Sequence, residues 1–119
     1  MIQLTAHMKI LVAVEPVDFR NGIDGLVGIC RRELEADPMG GWVFVFRNRS
    51  RRAIKVLVYD GQGFWLAQKR LSKGTFAWWP QKGQRVAEEL EAYQLQLLLW
   101  NGDPRFARAA EYWRKIEVG

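Results

Sequence analysis

Apolar positions in the first third of the chain predict a short buried strand followed by an amphipathic helix. Residues 9–14 (KILVAV) form a brief apolar run that a Glu-Pro pair ends, which is typical of a buried strand. Apolar residues then recur at i, i+3, i+4, i+7 and i+11, which predicts a helix over residues 22–34 with Asp18 or Asn21 as its N-terminal cap. The apolar stripe of this helix consists of Ile23, Leu26, Val27, Cys30 and Leu34.

Three strand-like segments occupy the middle of the chain. An acidic loop rich in Pro and Gly (residues 35–41) precedes strands predicted over residues 42–47, 53–59 and 64–71. The connections between these strands are short and contain Asn, Ser, Asp and Gly, the residues that favour tight turns. We therefore expect an antiparallel meander.

The last third of the chain carries a helical period. Val86, Leu90, Tyr93, Leu97 and Trp100 share one stripe, which predicts a helix over residues 85–99. Asn101 and Gly102 provide its C-terminal stop. Pro104 then begins a predicted final helix, whose apolar stripe is Phe106, Ala109, Ala110 and Trp113.

This order of elements predicts a single-domain α+β fold. A small antiparallel β-meander, with an additional N-terminal strand, is expected to be covered by helices on one face. Residues 1–80 would form the α+β core with a basic hairpin, and residues 81–119 a helical tail packed on the same domain.

Composition narrows the class of protein. The chain has 119 residues, 49% of them hydrophobic, which is typical of one folded domain. A single Cys and a single His argue against an intramolecular disulfide and a structural zinc site. No apolar run is long enough to cross a bilayer and no secretory leader pattern is present, so a cytoplasmic protein without membrane association is expected.

Positive charge is concentrated in the middle of the chain. The formal net charge is +5, but residues 42–82 contain nine basic side chains and one acidic side chain, whereas the flanking thirds are slightly acidic. A concentrated positive field attracts polyanions more strongly than a diluted one. Nucleic acid is therefore the expected partner, although the charge could also serve only solubility.

The predicted hairpin is the leading candidate for nucleic-acid contact, because guanidinium groups bind phosphate oxygens in a bidentate way. Lys55 and Lys69 are expected on the solvent face of the sheet, beside Tyr59 and Trp65, where bases could stack. The same charges could instead protect the sheet edge or meet an acidic protein partner. The candidate nucleic-acid-binding residues are Arg47, Arg49, Arg51, Arg52, Lys55, Lys69, Arg70 and Lys73.

Other side chains suggest weaker alternatives. Phe76, Trp78 and Trp79 form an aromatic cluster beside a proline; most aromatic rings fill the core, but one of these could face a protein partner. Asp18, Asp24 and Asp60 are candidate metal ligands, yet a cap or a turn explains them equally well. No phosphate-binding glycine loop or nucleophile–His pair is present, so no cofactor and no enzymatic activity are expected.

Several segments of the chain resemble the TnpB accessory protein, the second open reading frame of IS-66 type bacterial insertion sequences. The matching segments are residues 16–26 (PVDFRNGIDGL), 44–49 (FVFRNR), 60–71 (DGQGFWLAQKRL), 74–78 (GTFAW) and the Leu-rich 94–102 (QLQLLLWNG). The chain departs mildly from the family pattern at Phe19, Asn21 and Tyr59.

The resemblance implies a role in transposition beside a separate, larger transposase that carries the catalytic carboxylates. It implies no catalysis by this chain and supplies no binding residues. We therefore expect a protein that binds DNA through the Arg-rich hairpin and assists the transposase, with RNA as a further possible ligand. The alternative is an adaptor that docks on the transposase through Phe76, Trp78, Trp79 and the C-terminal helix without contacting DNA.

Overall fold

A five-stranded mixed sheet forms the centre of the protein. The computed structural model describes residues 8–106. The strands lie in the order β4-β3-β2-β1-β5, and the chain order of the elements is β1, α1, β2, β3, β4, β5, α2 and a final 3-10 turn. Their bounds are β1 Lys9–Ala13, α1 Ile23–Arg32, β2 Trp42–Arg47, β3 Ala53–Tyr59, β4 Phe64–Arg70, β5 Ala87–Leu90, α2 Ala92–Leu99 and the 3-10 turn Pro104–Phe106.

The predicted meander is confirmed. β2, β3 and β4 pair antiparallel in sequence order, with Val45 opposite Val56 and Val56 opposite Ala67. β1 pairs parallel with β2, with Val12 opposite Val45. Parallel neighbours need a crossover connection, and α1 supplies it between these two strands. The fold is therefore the predicted α+β class, with one parallel pair inside a mostly antiparallel sheet.

Helices cover both faces of the sheet, so the prediction that they share one face is wrong. Phe44 and Phe46 of β2 point to the face on which α1 packs with Leu26 and Cys30. The alternating β2 residues, Val43 and Val45, point to the other face, where α2 packs with Leu95 and Leu98. Both faces of the central strands are apolar, and each must be buried against another element. We call these the α1 face and the α2 face.

The predicted helix over residues 85–99 is wrong in its first half. Ala87–Leu90 form strand β5, which pairs antiparallel with β1, and Val86 is exposed rather than part of an apolar stripe. Without β5, β1 would leave one row of backbone groups unpaired beside the core, and this pairing outweighs the helical period.

α2 begins and ends with recognisable caps. The Glu91 side chain and that of Gln94 form a capping box at the start. At the end Asn101 has φ 64°, and the N–H of Gly102 donates to the Leu97 carbonyl at 2.8 Å. This left-handed ending confirms the predicted stop.

The start of α1 differs from its predicted cap. Gly22 is the N-cap and makes no side-chain cap bond. The Asn21 side chain instead donates to the Asp18 carbonyl, and the Asp18 carboxylate binds Arg20. Because both candidate caps are engaged elsewhere, α1 depends on its apolar stripe, which packs as predicted.

Cys30 lies fully buried on that stripe, as predicted for a core residue. Burial raises the pKa of its thiol to about 12, so it stays protonated at neutral pH. His7 and the predicted helix stripe at Ala109, Ala110 and Trp113 lie outside the described residues. Neither described helix has the length and apolar character needed to span a bilayer.

Candidate nucleic-acid interface

One end of the sheet collects the turn between β2 and β3, the end of β4 and the segment after β1. Ala53 at the start of β3 lies opposite Arg70, the last residue of β4. The N–H of Leu71 donates to the Arg52 carbonyl at 2.9 Å, and the N–H of Val17 donates to the Arg47 carbonyl at 2.9 Å. These backbone bonds hold three segments together, and we call this part of the molecule the basic end.

Exposed cations dominate the basic end. Two of them come from the β2–β3 turn and two from the end of β4 and the loop behind it. In the sequence they are separated by up to 24 positions, and the sheet register brings them to one end of the molecule. Such a group produces a positive potential that extends into solvent and attracts a polyanion. The four residues are Arg49, Arg52, Arg70 and Lys73.

Asn48 fixes the turn that carries these arginines. Its side-chain oxygen accepts bonds from the N–H of Arg52 at 3.0 Å and of Ala53 at 3.2 Å. The N–H of Arg51 donates to the Asn48 carbonyl at 3.2 Å. Asn favours such turns because its short side chain bonds nearby backbone groups. The turn is thereby ordered before any ligand binds.

Arg47 and Arg51 are partly buried and differ from their exposed neighbours. The Arg47 guanidinium lies 6.0 Å from the centroid of the Trp79 ring, and its Nη1 donates to the carbonyls of Asn48 at 3.2 Å and Arg49 at 3.3 Å. Burial lowers the pKa of Arg47, and the nearby Arg51 charge lowers it further. Both arginines therefore belong to the wall of the basic end rather than to its outer surface.

Lys55 is buried, so the prediction that it lies on a solvent face is wrong. Only 6% of the residue is exposed, and its Nζ donates at 2.8 Å to the carbonyls of Phe19 and of Asn21. Ile54 lies opposite Lys69, and Lys55 lies opposite Gln68, so the two lysines point to opposite faces. Lys55 points to the α1 face and anchors the segment that leads into α1.

Lys69 is exposed on the α2 face, and its Nζ donates to the Leu99 carbonyl at the end of α2. Cations stabilise helix C-termini, where carbonyl groups lack partners. Trp65 is 49% exposed, and its indole N–H donates to the Asp60 carboxylate at 2.8 Å. Lys69 therefore has a structural role already, whether or not it also meets a phosphate.

Two of the three predicted partner-facing aromatic residues are buried. Phe76 and Trp79 lie in the core on the α2 face, and the Trp79 indole N–H donates to the Ala13 carbonyl at 2.8 Å. Trp78 remains partly exposed. The prediction of an aromatic docking surface at residues 76–79 is therefore wrong for Phe76 and Trp79, because their rings pack into the core between the sheet and α2.

Trp100 is the exposed aromatic residue that the helical period misplaced. It is 84% exposed, although the period puts it on the buried stripe. α2 ends at Leu99, so the period no longer applies to the next residue. A Trp immediately before an Asn-Gly stop is the signal that could have indicated this.

The carboxylates of Asp18 and Asp60, two of the three candidate metal ligands, are engaged in hydrogen bonds. The Asp18 carboxylate accepts from Arg20 Nε at 3.0 Å and Nη2 at 2.6 Å, and this hydrogen bonding lowers the pKa of Asp18 to about 2. Asp60 accepts from the N–H groups of Gln62 and Gly63 in its turn. Within residues 8–106 no three His, Cys, Asp or Glu side chains come together in a metal-binding arrangement.

Arg20 belongs to the basic end although no periodicity or charge cluster in the sequence singled it out. Its segment is held to the β2–β3 turn by the Val17 bond, and residues 16–19 face residues 48–50 across a shallow groove. Its side chain is 92% exposed and already paired with Asp18. The pair is close to charge-neutral and adds little to the positive potential.

Comparisons with known proteins agree with the resemblance of the sequence segments. A family model described as IS66 Orf2 like protein matches residues 8–108. Two relatives come from Sinorhizobium fredii (strain NBRC 101917 / NGR234): y4jC is 37% identical over 95 residues, covering 80% of this chain and 81% of the relative, and y4hO is 35% identical over 113 residues, covering 95% of each. No solved structure matches. The chain therefore belongs to the IS66 Orf2-like family, which indicates an accessory role in transposition.

Proposed function

We propose that the protein binds DNA without catalysis through the basic end and thereby assists the transposase of its element. The observation that carries this proposal is the convergence of Arg49, Arg52, Arg70 and Lys73 on one end of the sheet. Phosphate contacts supply most of the affinity in sequence-independent DNA binding. Transposition acts on DNA, so the family favours DNA over RNA as the polyanion.

The side chains at the basic end are suited to contact with the phosphate backbone of DNA. Arg49 and Arg52 flank a turn that Asn48 holds in place, so their side chains need little ordering of the backbone when a ligand binds. Guanidinium groups offer paired donors that match phosphate oxygens. The hydrogen-bonded turn and its exposed side chains together favour contact with the phosphates of DNA, and contacts of this kind do not read the base sequence.

Salt dependence tests this proposal. If the wild-type protein contacts four to six phosphates, log K for a labelled duplex should fall with log salt at a slope of about −4 to −5. Fluorescence anisotropy would measure the slope for a duplex from the element end, for a scrambled duplex and for an RNA hairpin. An affinity that does not change with salt would contradict the proposal, as would stronger binding to the RNA. Preference for the element end would show site recognition.

A second candidate function is that of an adaptor that docks on the transposase. It is favoured by exposed aromatic surface on the α2 face. Trp100 lines a groove of about 380 Å³ together with Ile54, Val56, Ala67 and Leu99, and Trp65 is exposed on the same strand as Ala67. Exposed tryptophans are enriched at the centres of protein interfaces. This surface replaces the buried Phe76 and Trp79 as the docking candidate.

The double substitution Trp65→Ser and Trp100→Ser should reduce capture of the purified transposase at least tenfold if the adaptor function is correct. Both indoles are largely outside the core, so the fold should tolerate the change. Pull-down with the transposase of the same element measures capture, and a variant with Arg49→Ser and Arg52→Ser is the matched control. Undiminished capture by the tryptophan variant would exclude this docking surface.

A further inference from the structure

Beside the exposed cations lies a cleft of about 720 Å³ on the α2 face, between residues 77–85, β5 and the final 3-10 turn. Clefts of this size are typical of sites for small organic ligands. Its lining includes three arginines, two tryptophans and the carboxylate of Glu88, a mixture that a surface for the phosphate backbone alone does not need. The residues that matter here are Arg51, Trp78, Arg85, Glu88 and Arg105.

One arginine lines this cleft and a second lies behind its wall. Arg51 lines the cleft, and Arg47 lies against the ring of Trp79, which also lines it. In the described part of the chain, the Nε atoms of both arginines are buried without an acceptor. A buried donor without an acceptor costs about 1–3 kcal/mol. These Nε atoms are covered by protein, so what the two neighbouring cations give the cleft is a positive wall that attracts an anion.

The backbone at Arg51 is strained in a way that fixes this residue at the cleft wall. Its φ is 59°, in the left-handed region that residues other than Gly, Asn and Asp rarely adopt. The Arg51 N–H donates to the Asn48 carbonyl, and the Arg51 carbonyl accepts from the N–H of Phe76 at 2.8 Å. Strain that the surrounding structure maintains is concentrated at functional sites. Here it places a guanidinium beside the cleft.

The mixed lining selects among anionic ligands. An acidic peptide would bring its carboxylates against the Glu88 carboxylate and would be repelled by it. A free phosphate would leave the indole of Trp78 and the Glu88 carboxylate unused. A nucleotide offers a phosphate for the arginines, a planar ring that can stack on an indole and exocyclic amino groups that can donate to carboxylates.

We propose that this cleft binds one unpaired nucleotide of a DNA strand, with its phosphate held by Arg51 and its base stacked on Trp78. This inference rests on the proposed DNA binding and adds a site that distinguishes a frayed or single-stranded end from intact duplex. Inside a duplex the base is paired and stacked, so only a free end or an extruded nucleotide can enter the cleft. Arg85 and Arg105 stand at the same cleft and contribute positive potential.

The test compares a blunt duplex with the same duplex carrying a three-nucleotide single-stranded tail, using the full chain and fluorescence anisotropy. Wild-type protein should bind the tailed duplex at least tenfold more tightly than the blunt one. Arg51→Gln should bring this ratio close to one. The matched control is Arg52→Gln, which removes a neighbouring exposed cation and should weaken binding to both duplexes by the same factor, leaving the ratio unchanged.

Competition identifies the bound chemistry. Deoxyadenosine monophosphate should bring the ratio of the affinities for tailed and blunt duplex close to one, at concentrations at which inorganic phosphate does not change it. Equal affinity of the wild-type protein for tailed and blunt DNA would reject nucleotide binding in the cleft and would leave the proposed DNA binding intact. If a short poly-glutamate peptide removes the preference for tailed DNA and the nucleotide does not, the proposed nucleotide site is wrong and the cleft binds a protein ligand. Failure to bind either duplex would instead reject the proposed function itself.

Discussion

Changing Arg49, Arg52 and Arg70 together to Gln should weaken binding to blunt duplex DNA about 500-fold at 0.1 M salt. Each phosphate contact contributes close to one power of ten at this salt concentration, since counterion release scales with the logarithm of the salt concentration. The three side chains are exposed. Their removal should therefore change affinity with little effect on the folded state.

A charge-matched variant separates the position of the cations from their number. Lys9, Arg31 and Arg32 are also exposed, but they lie at the start of β1 and in the last turn of α1, at the opposite end of the sheet. Their replacement by Gln lowers the net charge by the same three units and should weaken binding less than tenfold. The salt slope should fall by about three only in the first variant. Equal losses in both variants would mean that net charge, and not the basic end, drives binding.

The meander could be predicted from the sequence because its signals are local. Short strands rich in β-branched and aromatic residues are separated by Asn- and Gly-containing turns, and the observed bounds of β2 and β3 coincide with the predicted ones. Nearly every residue of β3 is buried, on both sides of the strand. A strand of this kind has no solvent face, so the Lys55 within it had to be buried with partners rather than exposed.

Strand β5 could not be predicted in the same way. Ala87–Leu90 contain two Glu and fit a helical period with the residues that follow, and the segment becomes a strand through pairing with β1, more than 70 residues earlier in the chain. The strand propensity of residues 87–90 carries no information about pairing with so distant a strand. The cleft depends on the same pairing, because β5 supplies Glu88 and Glu89 to its lining. The exposed cations could thus be identified from sequence, whereas the cleft beside them could not.

Replacement of Lys55 by Ala should lower the free energy of unfolding by about 3 kcal/mol. The substitution removes two bonds from a charged donor and leaves the carbonyls of Phe19 and Asn21 without that partner. It also removes the buried aliphatic stem, whose ammonium lies 4.9 Å from the centroid of the Phe19 ring. Urea denaturation followed by circular dichroism measures the loss as a lower midpoint at constant slope.

Two further variants assign the cause of this loss. Lys55→Met keeps the stem and removes the ammonium, so it should cost less than the change to Ala. Lys69→Ala removes a lysine that also donates to a backbone carbonyl, but on an exposed surface, and should cost less than about 1 kcal/mol. If Lys69→Ala lowers the free energy of unfolding more than Lys55→Ala does, buried Lys55 does not stabilise the fold in the way described. Because Lys55 holds the segment beside the β2–β3 turn, its loss should also loosen the basic end and weaken DNA binding, although it touches no phosphate itself.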